Sequence, residues 1–105
     1  MNYFNPTSNA KYELSRNLKI GDSGMDVKIL QTALNRDKRT KIAEFGPGSP
    51  GFETEYFGKL TEKAVSRFQE LFSGEILIPA GLSQGNGFVG PSTREKLNKI
   101  VNINK

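Results

Sequence analysis

The sequence predicts an all-α protein, a small three-helix bundle with two long irregular loops. Three observations predict it. Apolar residues recur at helical spacing in three separate stretches. A loop-to-helix junction occurs twice, as FGKLTEKAV from Phe57 and as VGPSTREKL from Val89. The connections between the stretches are rich in glycine and proline, which continue neither a helix nor a central strand.

The 105 residues make one domain by default. A chain of this length buries roughly 60–70% of its unfolded surface, enough for a modest core without staples. There is no cysteine and no histidine. Disulfides, thiolate metal sites and cysteine nucleophiles are thereby excluded. The usual general base and the usual zinc ligand are also missing. We therefore expect no cofactor, no metal and no catalytic residues. The net charge of +4 and pI near 9.5 suit a polyanionic partner such as an acidic wall polymer, or a merely soluble basic domain. Nucleic acid is not the expected partner, because no recognised binding motif accompanies the charge. No apolar run is long enough for a membrane span. The polar start MNYFNPTSNAKYELSRN lacks the hydrophobic segment of a signal peptide. Either the chain acts where it is made or it is a module of a longer exported protein.

Residues 1–17 read as an arm or linker, with Pro6 and the aromatics Tyr3, Phe4 and Tyr12. The organised domain is expected over 18–102, and 103–105 as a frayed tail. Gly21 to Gly24 form a turn, and Ser23 followed by Asp26 has the spacing of a capping box. The first helix is expected over roughly 24–36, with Val27, Leu30 and Leu34 on its apolar face and Ile29 and Ala33 widening the stripe. Arg36, Lys38, Arg39 and Lys41 follow it, suited to a helix C-terminus or to a solvated face.

Residues 37–57 form a connection unusually long for a compact domain, and such loops often carry function. Phe45, Phe52, Tyr56 and Phe57 make it aromatic. Each packs to hold the loop down or forms a binding wall. The second helix is expected over about 59–72, with Ala64, Val65, Phe68, Leu71 and Phe72 facing the core and Gly74 as its terminating glycine. Ile76, Leu77 and Ile78 read as a short extended segment stopped by Pro79. The third helix starts at Pro91, a preferred first position, and buries Leu97, Ile100 and Val101. In each Gly-x-x-Thr junction the glycine permits a sharp turn and the threonine hydroxyl can bond to backbone in the first turn.

Three blocks carry a family resemblance. The first is Leu18, Gly21, Gly24, Asp26, Val27, Leu30, Gln31 and Leu34. The second is Phe57, Gly58, Thr61, Ala64, Val65, Phe68 and Gln69. The third is Asn86, Gly87, Val89, Gly90, Pro91, Thr93 and Leu97. In this order they resemble the type 1 peptidoglycan-binding domain family, the three-helix module attached to cell-wall hydrolases, over about residues 18–101. The resemblance implies a non-catalytic module that anchors or targets a protein to the bacterial wall. It implies peptidoglycan or its muropeptide as partner, and a catalytic or structural domain of a longer parent protein. It places the chain in the cell wall, extracellular or periplasmic. The chain departs from the family where a short Asp-Gly turn usually precedes the second helix, since Thr54 and Glu55 stand there, and both inter-helix connections are longer.

A wall ligand presents sugars, amides and carboxylates, so its site needs aromatic faces, amides and a cation. The candidate binding residues are Phe52, Glu55, Tyr56, Asn86, Phe88 and Arg94. Gln31 and Gln69, at matching places in two blocks, read first as amides that tie a helix to loop backbone. Two other function classes stay in view. Glu53, Glu55, Glu62 and Asp22 offer carboxylates for glycoside cleavage, but nothing places two at a defined separation. Alternatively, the fold serves a small structural or assembly protein through protein–protein contacts.

Overall fold

A computed structural model describes residues 13–102. Four helices appear among them: α1 (Met25–Leu34), α2 (Lys59–Leu71), α3 (Ser73–Ala80) and α4 (Pro91–Val101). The expectation of three helices is corrected to four, and the described part of the protein is all-helical. No strand forms among the described residues; two isolated bridges, Leu18 with Val89 and Ser23 with Tyr56, are antiparallel.

The three periodic stretches become α1, α2 and α4. Val27, Leu30, Ala33 and Leu34 are buried from α1, Ala64, Val65 and Phe68 from α2, and Leu97 from α4. Ile29, Phe72, Ile100 and Val101 pack half-buried against them. Leu18, Phe57 and Val89, each from the loop preceding a helix, are fully buried in the same cluster. The packed body reaches back to Leu14, which is buried, and its N–H donates to Asn98 Oδ1 at 2.7 Å. Tyr3, Phe4 and Tyr12, and the tail 103–105, lie outside the described residues.

The extra helix is α3, where the sequence suggested an extended Ile76–Ile78. Phe72, at φ −114° and ψ 44°, breaks α2. Its carbonyl then accepts from the N–H groups of Glu75 and Ile76 and restarts the coil. Ile76 and Leu77 turn into the core, and Ile78 faces solvent. Pro79 sits one residue from the end of α3, where its missing N–H costs the short helix at most one bond. The terminating glycine is Gly81, at φ 74°, and not Gly74, which lies inside α3. Leu82 N–H bonds Leu77 C=O and Gly81 N–H bonds Ile78 C=O, the paired closure of a Schellman motif. Thus α3 packs on both α2 and α4.

The capping box at Ser23 does not form. Gly24 is the N-cap of α1 and no side chain caps it. Ser23 is instead committed to its bridge with Tyr56, and its carbonyl accepts from Arg16. Asp26 pairs with Arg16 through two hydrogen bonds, at 2.7 and 3.1 Å. The bonded Arg16 guanidinium holds the Asp26 carboxyl below its ordinary value.

The basic run after α1 is mostly engaged within the fold. Arg36 donates to Ile100 C=O, Arg39 grips Asp37, and Lys41 pairs with Glu44. The Arg39 hydrogen bond brings the Asp37 carboxyl down to about 2. Because the folded value lies below the unfolded one, the stability from this pair is present above about pH 4 and is lost as pH falls toward 2. We expect Asp37→Asn to lower the thermal midpoint modestly at pH 7, as for an exposed pair, and to flatten its fall over that window. An unchanged acid limb counts against the pair.

Candidate functional site

The long loop after α1 is held by polar anchors and one aliphatic residue. Asn35 Oδ1 accepts from Ile42 N–H, and its Nδ2 donates to Gly48 C=O and Glu53 Oε2. The buried Thr40 hydroxyl donates to Leu34 C=O at 2.7 Å, and Ile42 enters the core. Of the loop's four aromatics only Phe57 is buried. Phe45 is 85% exposed, Phe52 67% and Tyr56 56%.

Two loops open onto helices in the same way. Gln31, buried on α1, accepts from Thr54 N–H at 2.7 Å through Oε1. Its Nε2 donates to Tyr56 C=O and Thr61 Oγ1, both at 3.0 Å, and to Thr54 Oγ1 at 3.3 Å. Gln69, buried on α2, accepts from the N–H groups of Asn86 and Gly87 at 2.9 and 3.0 Å. Its Nε2 donates to Phe88 C=O at 2.7 Å and to Thr93 Oγ1 at 3.2 Å. Both amides therefore tie a helix to loop backbone. Thr61 and Thr93 accept from these amides through their hydroxyls, where first-turn backbone bonds were expected.

The likeness extends further. Tyr56 N–H donates to Thr54 Oγ1, as Phe88 N–H does to Asn86 Oδ1. Gly58 caps α2 at φ −105° and ψ −167°, and Gly90 caps α4 at φ −99° and ψ −166°. A Cβ on Gly58 would sit 3.2 Å from the Tyr56 ring, and one on Gly90 3.2 Å from the Phe88 ring. In each loop the aromatic folds back over the capping glycine, and the next residue, Phe57 or Val89, plunges into the core.

The segment Leu18–Gly24 stitches these loops together. Leu18 and Val89 exchange both backbone bonds, at 3.1 and 2.8 Å. Further along it, Phe57 N–H donates to Asp22 C=O, Gly21 N–H to Phe57 C=O and Gly24 N–H to Glu55 C=O, each at 2.9 Å. The loops leading into α1, α2 and α4 thus form one rim, which presents Tyr56 and the 38%-exposed Phe88.

Four of the six expected binding residues lie on this rim. Glu55 and Tyr56 lie on the loop leading into α2, Asn86 and Phe88 on the loop leading into α4. The Asn86 Oδ1 accepts from Phe88 N–H in its own turn. Arg94, one turn into α4, is half-buried and donates to Asn17 Oδ1. It also borders a shallow groove of about 490 Å³ along α4, lined by Glu13, Pro91, Glu95, Asn98, Lys99 and Asn102. Phe52 lies outside the stitching, in the turn where its carbonyl accepts from Gly48 N–H. Two of the carboxylates suited by type to acid–base work have local tasks: Glu53 binds Asn35 and Gly51 N–H, and Asp22 accepts from Lys19 N–H.

Sequence reasoning missed Thr54 and Asn35 as anchors. Carrying the internal alignment three residues upstream of Phe57 and Val89 sets Thr54 against Asn86 and Tyr56 against Phe88, which would have exposed the shared turn. No group of three metal-ligating side chains gathers among the described residues, and no helix there is long and apolar enough to cross a membrane. Compared with protein-family models, curated proteins and solved structures, the chain has no match in any of the three.

Proposed function

We propose that this domain is a non-catalytic module that binds bacterial peptidoglycan and anchors or targets a protein to the cell wall. The observation that carries this reading is the rim with its two exposed aromatic rings, each on a loop whose backbone a buried glutamine holds. Rings held this way lose little freedom on binding, so contact with a ligand is offset by little ordering cost. Aromatic faces suit the C–H faces of sugars, and the cation of Arg94, close by on α4, suits a carboxylate of the peptide part. The three sequence blocks support the same reading. The setting is then the wall, extracellular or periplasmic, with a catalytic or structural domain of a longer chain as the companion.

The test is sedimentation with purified, intact peptidoglycan sacculi. The domain is expected to pellet at low and moderate salt. Tyr56→Ala and Phe88→Ala are each expected to weaken pelleting by about tenfold or more, the scale of a central binding residue. A domain that stays in the supernatant at both salts sinks the wall reading, and unchanged pelleting of both variants rejects the rim.

A second reading, a structural or assembly protein, is favoured by other exposed apolar side chains: Phe45, Phe52, Met25 and Ile78. Light scattering on the same samples separates the two. A monomeric mass at high concentration removes self-assembly, and an oligomer that Phe45→Asp dissolves supports it.

A further inference from the structure

We infer that the ligand chemistry of the rim is a glycan strand, with Tyr56 and Phe88 as two subsites on one saccharide chain. This rests on the wall-binding reading and narrows it to the sugar backbone of the wall over its peptide stems.

The rim is built by duplication. The same presenting device occurs twice: a buried glutamine, a side-chain-closed turn, an aromatic, a buried apolar residue and a capping glycine. The two rings stand in the same relation to their glycines, with edge carbons 3.2 and 3.4 Å from the Cβ position of Gly58, and 3.2 and 3.5 Å from that of Gly90. Two like sites on one rigid rim match a ligand that itself repeats. A peptide stem does not repeat along its length, whereas a glycan strand offers a sugar face at every residue.

The polar inventory points the same way. Around the rim, the C=O groups of Glu55, Tyr56, Phe57 and Phe88 and the N–H groups of Tyr56, Phe57, Gly87, Phe88 and Val89 already have partners within the fold. Such a surface has few backbone groups left to read a peptide, and its exposed ring area is the larger resource. Val89 is bonded to Leu18 and Phe57 to Gly21 and Asp22, so one short segment carries both loops. A single sugar occupies one ring. A chain reaches both, and the second contact becomes intramolecular, so affinity rises without a new type of contact.

The test is an NMR titration of the intact chain with β-1,4-linked N-acetylglucosamine oligomers, from monomer to hexamer. We expect the hexamer to bind at least about tenfold more tightly than the monomer, with shifts at both Gly58 and Gly90. Tyr56→Ala and Phe88→Ala are each expected to reduce the hexamer's affinity to within a few-fold of the monomer's. Both side chains are exposed, and a thermal midpoint near that of the parent verifies that each variant is folded. Affinity independent of chain length, or length dependence unaffected by either substitution, overturns the inference. Sacculi that pellet the domain while no oligomer binds also overturn it and leave the wall reading standing. Failure of sacculi and oligomers alike removes both.

Discussion

Phe57→Ala is expected to cost about 3–5 kcal/mol, the range for deleting a buried phenylalanine. Among the described residues, Phe57 is the largest of the fully buried side chains. It sits between Tyr56 on the rim and Gly58, the N-cap of α2, and its backbone makes two bonds to the Leu18–Gly24 segment. Its removal therefore opens a cavity directly beneath the site. A domain of this size has about 5–15 kcal/mol to lose, so the variant is expected near the edge of folding. Each kcal/mol moves the thermal midpoint by about 4–8 °C. Urea denaturation followed by circular dichroism measures it. A loss below about 1 kcal/mol, far under the range for such a deletion, would mean that the loop leading into α2 does not pack as described. Phe57→Leu keeps most of the volume and is expected to cost less than half as much.

Gln69→Leu is expected to cost about 3 kcal/mol, although it roughly conserves size and adds an apolar side chain to an apolar neighbourhood. The substitution leaves Asn86 N–H, Gly87 N–H and Phe88 C=O without their partner. A buried polar group stripped of its bond costs about 1–3 kcal/mol, and water entering the loosened loop offsets part of the total. Gln31→Leu has the same cause and a similar expected size. Gln69→Glu gives a sharper check. Its carboxylate keeps an acceptor for the two N–H groups but sets a second oxygen against Phe88 C=O and Thr93 Oγ1. Only the protonated acid can donate to that carbonyl, so its folded pKa is expected above the unfolded value. Stability should then be best below about pH 4 and be lost as pH rises through the folded pKa. A pH-independent midpoint difference between Gln69→Glu and parent would show that the amide does not face that carbonyl.

Much of the architecture was readable in the chain because its causes are local. Val27, Leu30 and Leu34, and Ala64, Val65 and Phe68, lie at spacings that only a helix gathers onto one face. Pro91 and Gly90 marked the start of α4 for the same reason. The run Ile76-Leu77-Ile78-Pro79 has no period, so its helical state was not legible. The restart at Phe72 and the closure at Gly81 decided it. Ser23 is the opposite case: a good local cap signal lost to a pairing with Tyr56, which is remote in sequence.

The candidate site divides along the same line. Its residue types, Tyr56 and Phe88 before Gly58 and Gly90, were written in the repeated junction. That they stay exposed while Phe45 and Phe52 stand elsewhere, and that one segment joins their loops, came only with the closed chain. Leu18 bonds to Val89, Gln31 to Thr54 and Gln69 to Asn86. Such bonds join residues far apart in sequence, whose meeting depends on how the helices pack. Periodicity sets which face of a helix is buried, because that choice is made within a few residues. Which loops meet above the core is set by the packing of all four helices, and no short stretch of sequence encodes it.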